Sequence, residues 1–192
     1  MDAIAERDER PVEAYRNYLR MLARIQMSSR LQTKMDASDI VQQAILQAHA
    51  ARSEFRGTTE PEKLAWLRAI LANVLAAAAR RYGTQAREVG RERSLQAEME
   101  LSSSRLERLL AANQSSPSQR AVRCEELLRL AAALTALPED QRCVVEMHYL
   151  KGLQVAEVAG QIGRSRPAVV GLLFRGLKKL RELLREYEEG EA

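Results

Sequence analysis

Gly163, with Ser165 two residues on and Pro167 two after that, separates two stretches of helical apolar periodicity and constrains this chain more than any other feature. A residue just past a helix end usually sits at positive φ, where glycine alone carries no steric cost. Ser165 can then cap the next helix, and Pro167 fits its first turn, where a missing N–H removes no hydrogen bond. The spacing predicts a helix from about Val155 to Ile162, with Val158, Ala159 and Ile162 inward, then a tight turn. A second helix follows with Val169, Leu172, Leu173, Leu177, Leu180 and Leu184 on one stripe. This is a helix-turn-helix. Arg164, Arg166, Arg175, Lys178, Lys179, Arg181 and Arg185 fall near or on its solvent-facing positions. An ordinary helical hairpin with a solvated charged face is the plainer reading of such a run. Nucleic acid is the sharper one.

Charge favours the sharper reading. The formal net charge is +4, and the cations collect at Arg80, Arg81, Arg87, Arg91 and Arg93 and again over 164–185, so two separated contacts with a polyanion are expected. No apolar run approaches a membrane span, and the acidic first ten residues lack a secretory core, so a cytoplasmic protein with no membrane partner is expected. Cys124 and Cys143 stand alone and read as free thiols, and His49 and His148 are isolated. No metal site, cofactor or catalytic constellation is expected, and so no enzyme.

Strand signals are nearly absent, and the chain reads as all-α. A first helix over 11–26 buries Tyr15, Tyr18, Leu19, Leu22 and Ile25. A second, capped by Asp36, puts Ile40, Val41, Ala44, Ile45 and Ala48 inward and Asp39, Gln42 and Gln43 outward. Thr59 and Glu62 form a capping box with Pro61 in the first turn of a long helix that reaches about Tyr82. Its stripe is Leu64, Leu67, Ile70, Leu71, Val74, Leu75 and Ala78, which leaves Lys63, Arg68, Asn73, Arg80 and Arg81 available to a partner. Residues 84–116 turn polar and Ser-rich and read as a flexible linker. Ser116 to Gln119 reads as a further capping box, opening a helix to about Leu137. Pro138 breaks it and starts the next, from Glu139 to about Leu150. Two small helical domains, 10–84 and 117–188, are therefore expected around a linker at 85–116.

The order and spacing of several short motifs then resemble the sigma-70 family of bacterial RNA polymerase sigma factors, in particular the extracytoplasmic-function type. In the first half these are Asp36-Ala37-Ser38-Asp39-Ile40-Val41-Gln42-Gln43, Phe55-Arg56-Gly57, and Ala65-Trp66-Leu67-Arg68 with Ile70 and Asn73. In the second they are Leu137-Pro138-Glu139-Asp140-Gln141-Arg142 and Gly152-Leu153-x-Val155-Ala156-Glu157-Val158-Ala159. The Tyr15-Arg16-x-Tyr18-Leu19-Arg20 start is similar to the large sets of planctomycete-type genomes.

The resemblance implies a factor that docks on core polymerase, reads the minus-thirty-five promoter element with its second domain, and opens and holds the minus-ten element with its first. Asp36, Asp39, Gln42 and Gln43 would meet the clamp helices of the largest polymerase subunit, and the second domain would meet the flap of the second subunit. Phe55, Arg56, Thr58 and Thr59 would receive unstacked bases. Asn73 would join them at the minus-ten element, with Lys63, Arg68, Arg80 and Arg81 on phosphates. Trp66 is read as core before it is read as a stacking surface.

On the recognition helix, Ser165, Arg166, Val170, Gly171 and Phe174 would enter the major groove and Arg164, Arg175 and Lys178 would hold phosphates. Arg166 is the candidate for bidentate guanine readout. Phe174 stands where a polar residue is expected, as a thymine-methyl contact or a core residue at the domain edge. An anti-sigma protein or a regulatory kinase is left open as a further partner. Two other classes compete: a one-component repressor that binds palindromic DNA without polymerase, and an adaptor that kept the fold but lost DNA binding.

Overall fold

The computed structural model describes residues 10–82, 89–111 and 120–189, which form helices joined by short turns, with no strand among the described residues. After a 3-10 turn at Val12–Tyr15 come α1 (Arg16–Gln26), the short α2 (Ser29–Gln32), α3 (Ala37–Ala50) and a second 3-10 turn at Arg52–Glu54. Then follow α4 (Glu60–Arg81), α5 (Val89–Ala111), α6 (Arg120–Ala136), α7 (Glu139–Val145), a π turn at Glu146–Leu150, α8 (Val155–Ile162) and α9 (Arg166–Glu189).

Helix starts follow local chemistry. Asp36 accepts from the Ser38 N–H at 2.6 Å, and Asp39 reaches back to the Asp36 N–H at 3.3 Å. The backbone amide so bound holds the Asp36 carboxyl below its usual range. At α4 the Glu62 carboxylate accepts from the Thr58 and Thr59 N–H groups at 2.8 and 2.9 Å, and those bonds hold it low as well. The cap expected at Asp36 and the capping box expected at Thr59 thus close, and each fixes the chain entering its helix, while the box expected at Ser116 to Gln119 lies outside the described residues.

The fully buried Tyr18, Leu19, Met21 and Leu22 make α1 the central element, packed against α3, α4, α5 and α6. Helix α3 presents Ile40, Val41, Ala44, Ile45 and Ala48 to this core, and α4 presents Leu64, Leu67, Leu71, Val74 and Leu75, as their periodicity predicts.

The stretch expected to be a flexible linker differs. Residues 89–111 form the 23-residue helix α5, which packs on α1, α4 and the π turn. Its inward stripe is Leu95, Met99, Ser102, Ser103 and Leu106. Two serines in that stripe make it look polar in sequence, yet both are small enough to bury. Ser103 accepts from the Tyr18 hydroxyl at 3.0 Å, which satisfies the polar pair inside the core.

The helix-turn-helix half is joined to α1 and α5 by part-buried polar contacts. Arg24 of α1 grips Glu146 of the π turn through Nη2 at 2.5 Å and Nε at 3.2 Å. Arg105 of α5 donates to the Leu150 and Lys151 carbonyls at 2.9 and 2.6 Å. Gly152, at φ +78°, makes room for it, since a Cβ there would lie 2.8 Å from the Arg105 guanidinium carbon. The helix expected from Glu139 to about Leu150 therefore ends in a wider turn, with the Lys151 N–H bonding the Glu146 carbonyl five residues back at 3.0 Å.

Cys124 and Cys143 are free thiols. Burial and then the adjacent Glu60 carboxylate push the Cys124 thiol up to about 12, which leaves it protonated and unreactive. Among the described residues no helix is long and apolar enough to cross a membrane.

Candidate nucleic-acid interface

The turn between α8 and α9 takes the conformation its residues dictate. Gly163 is left-handed at φ +66°, Ser165 Oγ accepts from the Ala168 N–H at 3.4 Å, and α9 begins at Arg166 with Pro167 in its first turn. The weak cap at Gln154 is offset by Glu157, whose carboxylate accepts from the Gln154 N–H at 2.7 Å. Val158, Ala159, Val169, Leu172, Leu173 and Leu180 fill the space between α8, α9 and their neighbours. Gly176 was not singled out in the sequence. A Cβ there would come within 3.0 Å of Val145 and 3.4 Å of Gln141, so its absence lets α9 cross α7 closely.

One outward face of α9 gathers Ser165, Arg166, Val170, Phe174, Arg175 and Lys178, all exposed, with Gly171 half-buried between them. Phe174 is 70% exposed and Val170 53%, so Phe174 is not a core residue at the domain edge. An exposed aromatic one turn beyond an exposed valine forms a small apolar strip inside a cationic surface. That pattern suits the floor of a groove better than water. Arg166 forms no ion pair with any described residue. Arg164 does, with Asp140 of α7 at 2.7 Å on the surface, so a phosphate would have to compete for it.

The first half carries a second candidate surface. Phe55 stacks on Trp66 with ring centroids 4.8 Å apart and planes tilted by 33°, and both rings are half-buried. Trp66, read first as core, packs partly buried against the core and is also one layer of an aromatic pair. Gly57 lies close against the Phe55 ring, where a Cβ would fall 2.3 Å from Cζ. Glu62 holds the Thr58 and Thr59 amides and the Thr59 hydroxyl, so the loop over 55–59 is braced at its helix end. Arg56 is exposed within it, whereas the exposed Asn73 lies farther along α4 and the exposed Arg80 and Arg81 lie in the last turn of that helix, at the end away from the loop.

Two of the cations expected on this surface are not on it. Lys63 is 7% exposed, its ammonium on the Arg10 carbonyl at 2.6 Å and over the Tyr15 ring at 5.5 Å. Arg68 is 6% exposed; it bonds the Tyr18 hydroxyl at 3.0 Å and pairs with Glu100 of α5 at 2.7 Å. Helical periodicity put both at the margin of the α4 stripe. What buries them comes from residues 10–18 and from α5, far away in sequence.

On α3 the exposed face holds Asp39, Gln42 and Gln43 as expected, with Asp36 at its start, and adds Leu46 at 59% exposure. Asp39 doubles as a partner in the capping box, and Gln42 accepts from Arg16 at 3.1 Å. The Leu46 signal was present in the sequence. It sits at i+3, i+4 and i+7 from Gln43, Gln42 and Asp39, on the polar side of the helix.

Compared with known proteins, residues 127–180 match a family model described as sigma-70, region 4. The matched span runs from α6 through the turn and most of α9. It contains Arg164, Ser165, Arg166, Val170, Gly171, Phe174, Arg175 and Lys178. No curated protein matches the chain.

Proposed function

We propose that this chain is a sigma factor of the extracytoplasmic-function type. In this reading it directs core RNA polymerase to specific promoters in the cytoplasm and assists in melting them. The observation that carries the proposal is the outward face of α9, where Arg166, Val170 and Phe174 stand exposed behind a capped turn in a segment similar to sigma-70 region 4. Three further features support it: the Phe55–Trp66 pair beside a braced loop, the α3 face with its apolar Leu46, and the planctomycete-like start at Tyr15. Catalysis belongs to the polymerase, and the factor supplies recognition.

Arg166 is proposed to read a guanine through O6 and N7, and Val170 with Phe174 to lie against thymine methyls. Arg175 and Lys178 hold phosphates. Binding of the polymerase-assembled factor to promoter duplexes tests these roles. Arg166→Ala should cost about 1–3 kcal/mol and relax preference at one base pair. Lys178→Ala should weaken all sequences alike and lower the salt slope by about 0.9. Replacing upstream-element thymines by uracil removes methyls and nothing else, and should cost about 0.8 kcal/mol per contacted methyl in wild type but nothing in Phe174→Ala. A uniform loss with both alanine variants, and indifference to uracil, would remove base reading from this face.

A further inference from the structure

We propose that the cavity lined by α1, the start of α3, α7 and the π turn is a binding site for a small phosphate-bearing molecule.

The cavity holds about 370 Å³, within the roughly 300–1,000 Å³ of small-molecule pockets. Four cations line it: Arg20 and Arg24, one turn apart on α1, Arg142 of α7, and Lys151 just past the π turn. Three carboxylates line it too, and each is otherwise placed. Glu146 is held by Arg24, Asp36 caps α3, and Glu139 is exposed to water. Arg20 acts on the Asp36 carboxylate through its field, without a hydrogen bond. Arg20, Arg142 and Lys151 are therefore left half-buried with no ion pair to any described residue.

Arg20 carries the signal most clearly. Its Nε is buried and has no hydrogen-bond partner, and a buried donor on a charged group is costly until something accepts from it. Arg142 makes one long bond, 3.4 Å from Nη1 to the Thr135 carbonyl. The rest of its fork is unspent among the described residues.

The chemistry of the lining selects the guest. Guanidinium forks match phosphate oxygens two at a time, and one phosphate monoester brings about −1.5 to −2 charge, where a carboxylate would balance a single cation. Ile25, Met27 and Met147 give the same cavity an apolar wall, and thioethers adapt to the shape laid on them. A phosphate head with an apolar or aromatic body, as in a nucleotide, satisfies both. Cations recessed in a cavity suit a small molecule better than a duplex, whose phosphates meet exposed side chains.

Calorimetry on the full chain, with magnesium-free ATP as the probe, tests the site. ATP should bind once per chain and raise the melting temperature by about 5–10 °C at a hundredfold excess over Kd. Pyrophosphate lacks the body and should bind on the order of tenfold more weakly. Arg20→Met, Arg142→Gln and Lys151→Gln should each weaken ATP by about tenfold or more, the loss of a charge-assisted hydrogen bond. Arg181→Ala removes an exposed cation of α9 and should leave ATP binding unchanged. Without ligand, Arg20→Met should melt no lower than wild type, because it removes an unpartnered charge and keeps much of the side chain's bulk. If that variant does not fold, Arg142→Gln and Lys151→Gln carry the test.

No binding of ATP, or an equal loss in Arg181→Ala and the cavity variants, would overturn the site. Release of bound ATP by a short duplex without promoter elements, at equal phosphate concentration, would give these cations to DNA and overturn it as well. Nothing in the test depends on the sigma-factor reading, so either can fail alone.

Discussion

Phe55→Ala should lower open-complex formation on duplex promoters by roughly 5- to 150-fold, the range given by about 1–3 kcal/mol for one lost base–aromatic stack. The geometry isolates the effect. Phe55 touches Trp66 and the Gly57 backbone, and both rings remain part-exposed, so truncation removes one ring contact of about 0.5–1.5 kcal/mol and leaves the core of α1, α3 and α4 alone. Folding survives, since domains of this size hold about 5–15 kcal/mol. Core binding and upstream recognition should be nearly unchanged. A promoter with a pre-melted minus-ten bubble should recover much of the lost transcription, because the unstacking work has already been done. Gly57→Ala offers a second route to the same defect by driving a methyl group into the space the ring occupies. Permanganate reactivity of unpaired thymines measures both; equal reactivity of variant and wild type on duplex templates takes the loop out of the melting mechanism. Thr59 is less suitable as a probe, because its hydroxyl also caps α4 and its loss would blur melting with stability.

Docking on core polymerase should be lost almost completely in a chain carrying Asp39→Arg, Gln42→Ala and Leu46→Glu. These positions share the exposed side of α3, whose other side is filled by Ile40, Val41, Ala44 and Ile45. An apolar Leu46 within a polar surface is the arrangement of an interface centre with a hydrated rim, where single truncations cost 2 kcal/mol or more by typical magnitudes (about 30-fold). A charge placed at that centre adds desolvation on top. Some stability is lost with Asp39, since its carboxylate completes the cap of α3, so melting temperature is measured beside comigration with core enzyme. Leu46→Glu alone, which leaves the cap intact, should already weaken comigration. If the triple variant comigrates as wild type does, α3 is not the docking surface.

What could be read from the sequence was whatever residues a turn or two apart decide among themselves. The caps at Asp36, Thr59 and Ser165 and the stop at Gly163 close within three or four residues, and the structure has them as expected. So do the stripes of α1, α3 and α4, because burial on one face of a helix leaves a 3.6-residue trace. Where the partner came from afar, the pattern misled. Lys63 and Arg68 look like solvent-facing cations until the Arg10 carbonyl, Tyr18 and Glu100 arrive from elsewhere in the chain. Helix α5 passed for a linker because Ser102 and Ser103 count as polar in any pattern, although a small hydroxyl with a buried partner packs as well as alanine. The π turn and the close α7–α9 crossing at Gly176 carried no distinctive local signature. The outward face of α9 was legible as a list of residues. Phe174 was not, since only the structure decides between core and solvent.

The central claim is that this chain gives core RNA polymerase a choice of promoter and helps to open it, and run-off transcription tests it most directly. Core enzyme and the purified chain are incubated with genomic fragments, and transcripts are mapped to their start sites. Discrete transcripts should appear only when both proteins are present, start downstream of a shared pair of elements, and disappear with the triple α3 variant. No transcript above core enzyme alone, together with tight binding of the chain by itself to palindromic duplexes, would contradict the account and identify a repressor instead.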